Sequence, residues 1–68
     1  MYNSFLHFVE KHNIPQETID NCFGKGYFGK YVMYDNCKAI NKLAKYLDMG
    51  ITVKTVYPTW NTVAFKTI

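Results

Sequence analysis

Cys37 follows Asp35 by two residues, at the point where a run of apolar residues at helical spacing begins, and His7 and His12 are the two imidazoles available to act on it. A thiol at a helix N-terminus ionises more readily, and a neighbouring imidazole is the usual base for such a nucleophile. No third orienting group and no oxyanion motif accompanies the pair, so Cys37 reads as a packed structural cysteine. His7, His12, Cys22 and Cys37 are also the soft metal ligands of the chain. Zinc needs its ligands to converge, yet a five-residue spacing turns two imidazoles about 140° apart on a helix, and there is no Cys-x-x-Cys. Glu17 and Asp20 share one helix face, where complementing the positive end of the helix explains them without catalysis. We expect no enzymatic activity, no bound metal and no cofactor.

The lysines suggest binding. All 8 basic residues are lysine, and the net charge of +3 is unevenly spread. Residues 1 to 23 set Lys11 against Glu10, Glu17 and Asp20, a net −2, whereas residues 24 to 68 set seven lysines against Asp35 and Asp48, a net +5. That larger, C-terminal part of the chain should face a negatively charged partner. Lacking the planar arginine fork, it is poorly suited to base-specific DNA reading. Lys38, Lys42 and Lys45 recur at i, i+4, i+7, which makes them one basic ridge on a helix. Lys25, Lys30, Lys54 and Lys66 can add to it from neighbouring surfaces. Trp60, beside Tyr57 and Pro58 between two β-rich runs, is either folded over the core or exposed as an interface anchor.

Gly24 to Tyr34, GKGYFGKYVMY, packs three glycines, two lysines and four rings into eleven residues. Its GKGYFGKYV resembles the glycine-rich nucleotide loop of protein kinases, where backbone amides close over phosphates between two strands. A kinase also needs a strand lysine, a helix glutamate and two catalytic aspartates, machinery that 68 residues do not hold. The dinucleotide-binding version places the glycines after a strand, whereas here they follow a helix. The glycines therefore read as helix cap and turn. Lys25-Gly26-Tyr27 with Tyr31-Val32-Met33-Tyr34 also resembles the aromatic signature of RNA-recognition motifs, with two extra residues between the halves. That resemblance implies bases stacked on Tyr27, Phe28 and Tyr31, with Lys25 and Lys30 holding the backbone.

These residues have to be positioned by a short chain, of a size that buries only about 60% of its unfolded surface. An aromatic fraction of 18% compensates, since Phe5, Phe8, Phe23, Tyr31 and Phe65 can build a dense core. Ser4 should cap a first helix carrying Phe5, Phe8, Val9 and His12 along one stripe. Pro15 is suited to the first turn of a second helix with Ile19, Cys22 and Phe23 inward, closed by Gly24. Residues 27 to 34 read as a strand. Asp35 or Asn36 should cap a third helix with Ile40, Leu43, Ala44 and Leu47 on its apolar face and Gly50 as its C-terminal cap. Ile51 to Tyr57 and Thr62 to Thr67 read as a hairpin turned by Pro58 to Asn61. Alternation places Ile51, Val53, Tyr57, Val63 and Phe65 inside, and Thr52, Lys54, Thr62 and Lys66 outside.

The expectation is a single compact α+β domain over residues 1 to 68, ordered α-α-β-α-β-β, with a three-stranded sheet and helices on one face. No apolar stretch approaches the roughly 20 residues of a membrane span, and no secretory signal precedes the two cysteines. We therefore expect a cytoplasmic protein with no membrane partner. The abundance of Lys, Asn, Tyr and Ile matches AT-rich coding, as in a phage or a low-GC bacterium. The function expected is that of a small interaction protein, of the kind a phage encodes to inhibit or modulate a host protein. It would grip an acidic patch through Trp60, Tyr57, Tyr34 and Tyr27 with Lys38, Lys42 and Lys45. The alternative is a nucleic-acid-binding module for single-stranded or structured RNA or DNA, using Tyr27, Phe28, Tyr31, Lys25 and Lys30.

Overall fold

A computed structural model describes residues 1–26 and 36–68. Helix α1 is Phe5–Lys11, and the Ser4 hydroxyl caps it by accepting the His7 N–H at 3.1 Å. Helix α2 is Gln16–Phe23; Pro15 stands just before it and Gly24 ends it at φ 109°, a conformation that favours glycine. Helix α3 is Asn36–Tyr46, strand β1 is Val53–Val56 and strand β2 is Ala64–Thr67.

The two strands pair antiparallel, with Val53 opposite Thr67, Lys54 opposite Lys66, Thr55 opposite Phe65 and Val56 opposite Ala64. This overturns the expected order α-α-β-α-β-β and the three-stranded sheet. The described residues form three helices and a two-stranded sheet, a small α+β domain. The strand expected at 27 to 34 lies outside the described residues. Where a third strand would bond, shorter devices serve instead. On the β2 side, Tyr2 exchanges both backbone hydrogen bonds with Phe65, at 2.9 and 2.7 Å. On the β1 side, the Asn41 carboxamide bonds both backbone groups of Val53.

One cluster of buried side chains joins these elements. Phe5 and Phe8 from α1, Ile19 from α2, Ile40 and Leu43 from α3 and Val53 from β1 are all but fully buried. Helix α3 is central, packing against α1, α2 and β1 through its apolar face. Phe23 is half-buried and meets Phe5 edge-on, with ring centroids 5.7 Å apart; Tyr31, also expected in the core, lies outside the described residues.

Four details at the helix ends go beyond or against expectation. Of the two caps offered for α3, Asp35 lies outside the described residues, and Asn36 accepts the Phe5 N–H at 2.9 Å and so ties the start of α3 to the start of α1. Leu47, read as core, lies past the end of α3 and is exposed. The left-handed residue closing α3 is Asp48, at φ 53°, two residues before Gly50. His12 also leaves the α1 stripe: it follows the helix, and its Nε2 meets the Tyr2 hydroxyl at 2.8 Å.

Candidate functional site

The hairpin tip is built from a polar clamp around an aromatic residue. Thr62 donates its N–H to the Thr59 carbonyl at 3.2 Å, closing a turn over Trp60 and Asn61. Asn61 takes φ 73°, as the third residue of a type II turn requires. The Thr59 N–H donates to the Thr62 hydroxyl at 3.2 Å, that hydroxyl donates to the Thr59 carbonyl at 3.0 Å, and the two hydroxyls meet directly. Because this clamp is local, Trp60 is left 89% exposed and Tyr57 74% exposed. Of the two readings of Trp60, folded over the core or exposed, the structure takes the second. Tyr57 and Val63, expected on the inner face of the hairpin, are also exposed, because the ladder ends at Val56–Ala64 and both lie beyond it.

Lys38, Lys42 and Lys45 are all exposed on the face of α3 opposite its buried residues, but their surroundings differ. The Lys42 ammonium sits over the Phe23 ring, 5.1 Å from its centroid, an attraction of about 0.5 to 1 kcal/mol at an exposed position. Lys45 instead borders a groove of about 330 Å³ shared with Asn41, Ala44, Asp48, Gly50, Ile51 and Thr52. Lys25 is exposed. Tyr27, Phe28, Lys30, Tyr31 and Tyr34 lie outside the described residues.

The four side chains with nucleophilic or metal chemistry are not brought together. Cys37 Sγ donates to the Val53 carbonyl at 3.6 Å and accepts from Asn41 Nδ2 at 3.8 Å. His7 Nδ1 accepts the Asn3 N–H at 2.9 Å, and His12 is held by Tyr2. Both cysteines are free thiols. Burial pushes the Cys22 thiol above its usual range, and the Lys42 charge partly offsets that rise. Among the described residues, no group of three or more His, Cys, Asp or Glu side chains is placed to hold a metal ion.

Sequence reasoning offered Lys54 and Lys66 only as separate additions to the basic ridge, and did not see that they form a pair on the sheet. Lys54 and Lys66 are directly opposite each other and both exposed. Alternation already placed them outside; that they are partners is set by the observed register, which a count back from the expected Pro58–Asn61 turn misses by one residue.

No described helix is long and apolar enough to cross a membrane. No family model, curated protein or solved structure matches the chain.

Proposed function

We propose that this is a small non-enzymatic interaction protein that binds and modulates a larger protein carrying an acidic patch. Trp60 and Tyr57 are its anchors, and Lys38, Lys42 and Lys45 supply the charge. The observation that carries this reading is the near-complete exposure of Trp60 on a turn closed by its own hydrogen bonds. Tryptophan is among the residues most enriched at interface hot spots, and an anchor carried on a turn whose backbone is already ordered loses less entropy on binding. The charge asymmetry of the chain and its AT-rich composition fit a phage-encoded inhibitor acting in a host cytoplasm.

The test is covalent capture of a partner from bacterial extract by wild type, Trp60→Ala and Lys42→Glu/Lys45→Glu. Anisotropy of labelled single-stranded RNA at low and moderate salt runs beside it. Trp60→Ala should weaken partner binding by about 30-fold or more, as loss of a hot spot does. Capture indifferent to both variants, or salt-sensitive RNA binding in its place, removes this reading.

A further inference from the structure

In an antiparallel pair, successive residues alternate between pointing their N–H and C=O at the partner strand and pointing them away. Two observations fix the phase of this hairpin. Ile68 donates its N–H to the Thr52 carbonyl at 2.8 Å, so 52–68, 54–66 and 56–64 are the pairs that exchange bonds. Phe65, opposite Thr55, sends its N–H and C=O the other way, to Tyr2. Val53 has the outward phase as well, and Asn41 satisfies both of its groups. Thr55 repeats that phase one step along, with its N–H and C=O off the outer edge of β1. It is exposed, and no described residue hydrogen-bonds to it across that edge.

The face beside this edge carries an electrostatic cost. Like charges directly opposite on a sheet are destabilising, and exposed Lys54 and Lys66 have no acidic partner among the described residues. A carboxylate on an added strand beside Lys54 would relieve that repulsion. A second copy of this chain would instead bring another Lys54 to the same face, so charge disfavours self-pairing.

We infer that the outer edge of β1 takes an extended, acidic segment of the partner protein as an added strand, bonded at Thr55 and running toward Tyr57. This mode gives affinity through main-chain bonds and specificity through alternate side chains. Asn41 fixes the register, because Val53 is already filled and the added strand can bond only from Thr55 onward. The inference rests on the reading under Proposed function and names the partner chemistry that reading leaves open.

The probe is a blocked nine-residue peptide alternating glutamate and valine, compared with its lysine-for-glutamate version and a version N-methylated at alternate amides. Binding is followed by amide shifts and hydrogen exchange of the labelled protein. The acidic peptide should slow exchange at the Thr55 amide by at least about tenfold, and the other two should not. Thr55→Pro should abolish binding while the Tyr2–Phe65 amides stay protected, since the ladder does not use the Thr55 N–H and proline is tolerated at such edge positions. If Thr55→Pro disturbs the fold, Lys54→Glu/Lys66→Glu should transfer preference to the lysine peptide.

Failure of the acidic peptide to bind, binding without protection at Thr55, a dimer formed through this edge, or an oligonucleotide protecting Thr55 instead overturns the inference. A captured partner lost with Trp60→Ala but retained by folded Thr55→Pro overturns the added strand and leaves the function reading intact. Capture indifferent to Trp60→Ala removes the function reading itself.

Discussion

The Asn41 carboxamide bonds Val53 at both of its backbone groups: Nδ2 donates to the Val53 carbonyl at 3.0 Å, and Oδ1 accepts the Val53 N–H at 2.7 Å. One side chain on α3 thus does for β1 what a residue of a third strand would do. Val53 is only 2% exposed, so water cannot readily replace the amide. Leaving buried backbone groups unpaired costs about 1 to 3 kcal/mol. Asn41→Ala should lower the unfolding free energy by that amount, read from the urea midpoint. Asn41→Asp keeps the acceptor but sets a carboxylate oxygen against the Val53 carbonyl, and should cost at least as much. A midpoint unmoved by Asn41→Ala would show that the contact contributes nothing net.

Asp48 closes α3 in a Schellman arrangement. Its N–H donates to the Lys45 carbonyl at 3.1 Å, and the Met49 N–H donates to Ala44 at 3.0 Å. Its φ of 53° is one that glycine adopts without strain. A carboxylate at the negative end of a helix is also unfavourable. Asp48→Gly should therefore stabilise the fold by about 0.5 to 1 kcal/mol, after the glycine's greater freedom in the unfolded chain is counted. Asp48→Val should destabilise it. Thermal melts that rank Val above Gly would refute this account of the cap.

The single tryptophan offers a spectroscopic check on the tip. Because Trp60 is 89% exposed, its native emission should lie close to that of the denatured protein. Acrylamide should quench both states with nearly equal efficiency. Trp60→Ala should change stability by no more than about 0.5 kcal/mol, as exposed substitutions do. A blue-shifted, quench-protected native emission would mean that the ring is folded onto the protein.

These contrasts show which parts of the fold the sequence carries. Helical spacing of Phe5, Phe8 and Val9, and of Ile40, Leu43 and Ala44, is enough to find α1, α3 and most of the core, because burial along a helix follows from period alone. Ser4 is recognisable as a cap because its bond is three residues away. Asn36 and Asn41 are not, since their partners Phe5 and Val53 stand 31 and 12 residues distant. Nothing local distinguishes an asparagine that caps its own helix from one that reaches another element. The same limit hides the Tyr2–Phe65 pairing, which joins the two ends of the chain. At the site, exposure of Trp60 follows from a threonine clamp that a sequence pattern does not announce.

Cys22 gives a pH-dependent prediction. Burial raises its thiol pKa above the unfolded value, and the Lys42 charge opposes that rise. The folded state therefore holds the proton more tightly than the unfolded chain does. Stability from this source is fully present below the unfolded thiol pKa and is lost as pH climbs through the folded one. Urea midpoints should thus fall above about pH 8.5, the ordinary thiol range, and Cys22→Ala should flatten part of that fall. Iodoacetamide should alkylate Cys22 more slowly than a free thiol at the same pH, because the thiolate is the reactive form. Lys42→Ala removes the opposing charge and should slow alkylation further, with Cys37→Ser as background so that one thiol is followed. Faster alkylation in Lys42→Ala would mean that the lysine shields the thiol sterically, by its place over Phe23, more than it favours the thiolate.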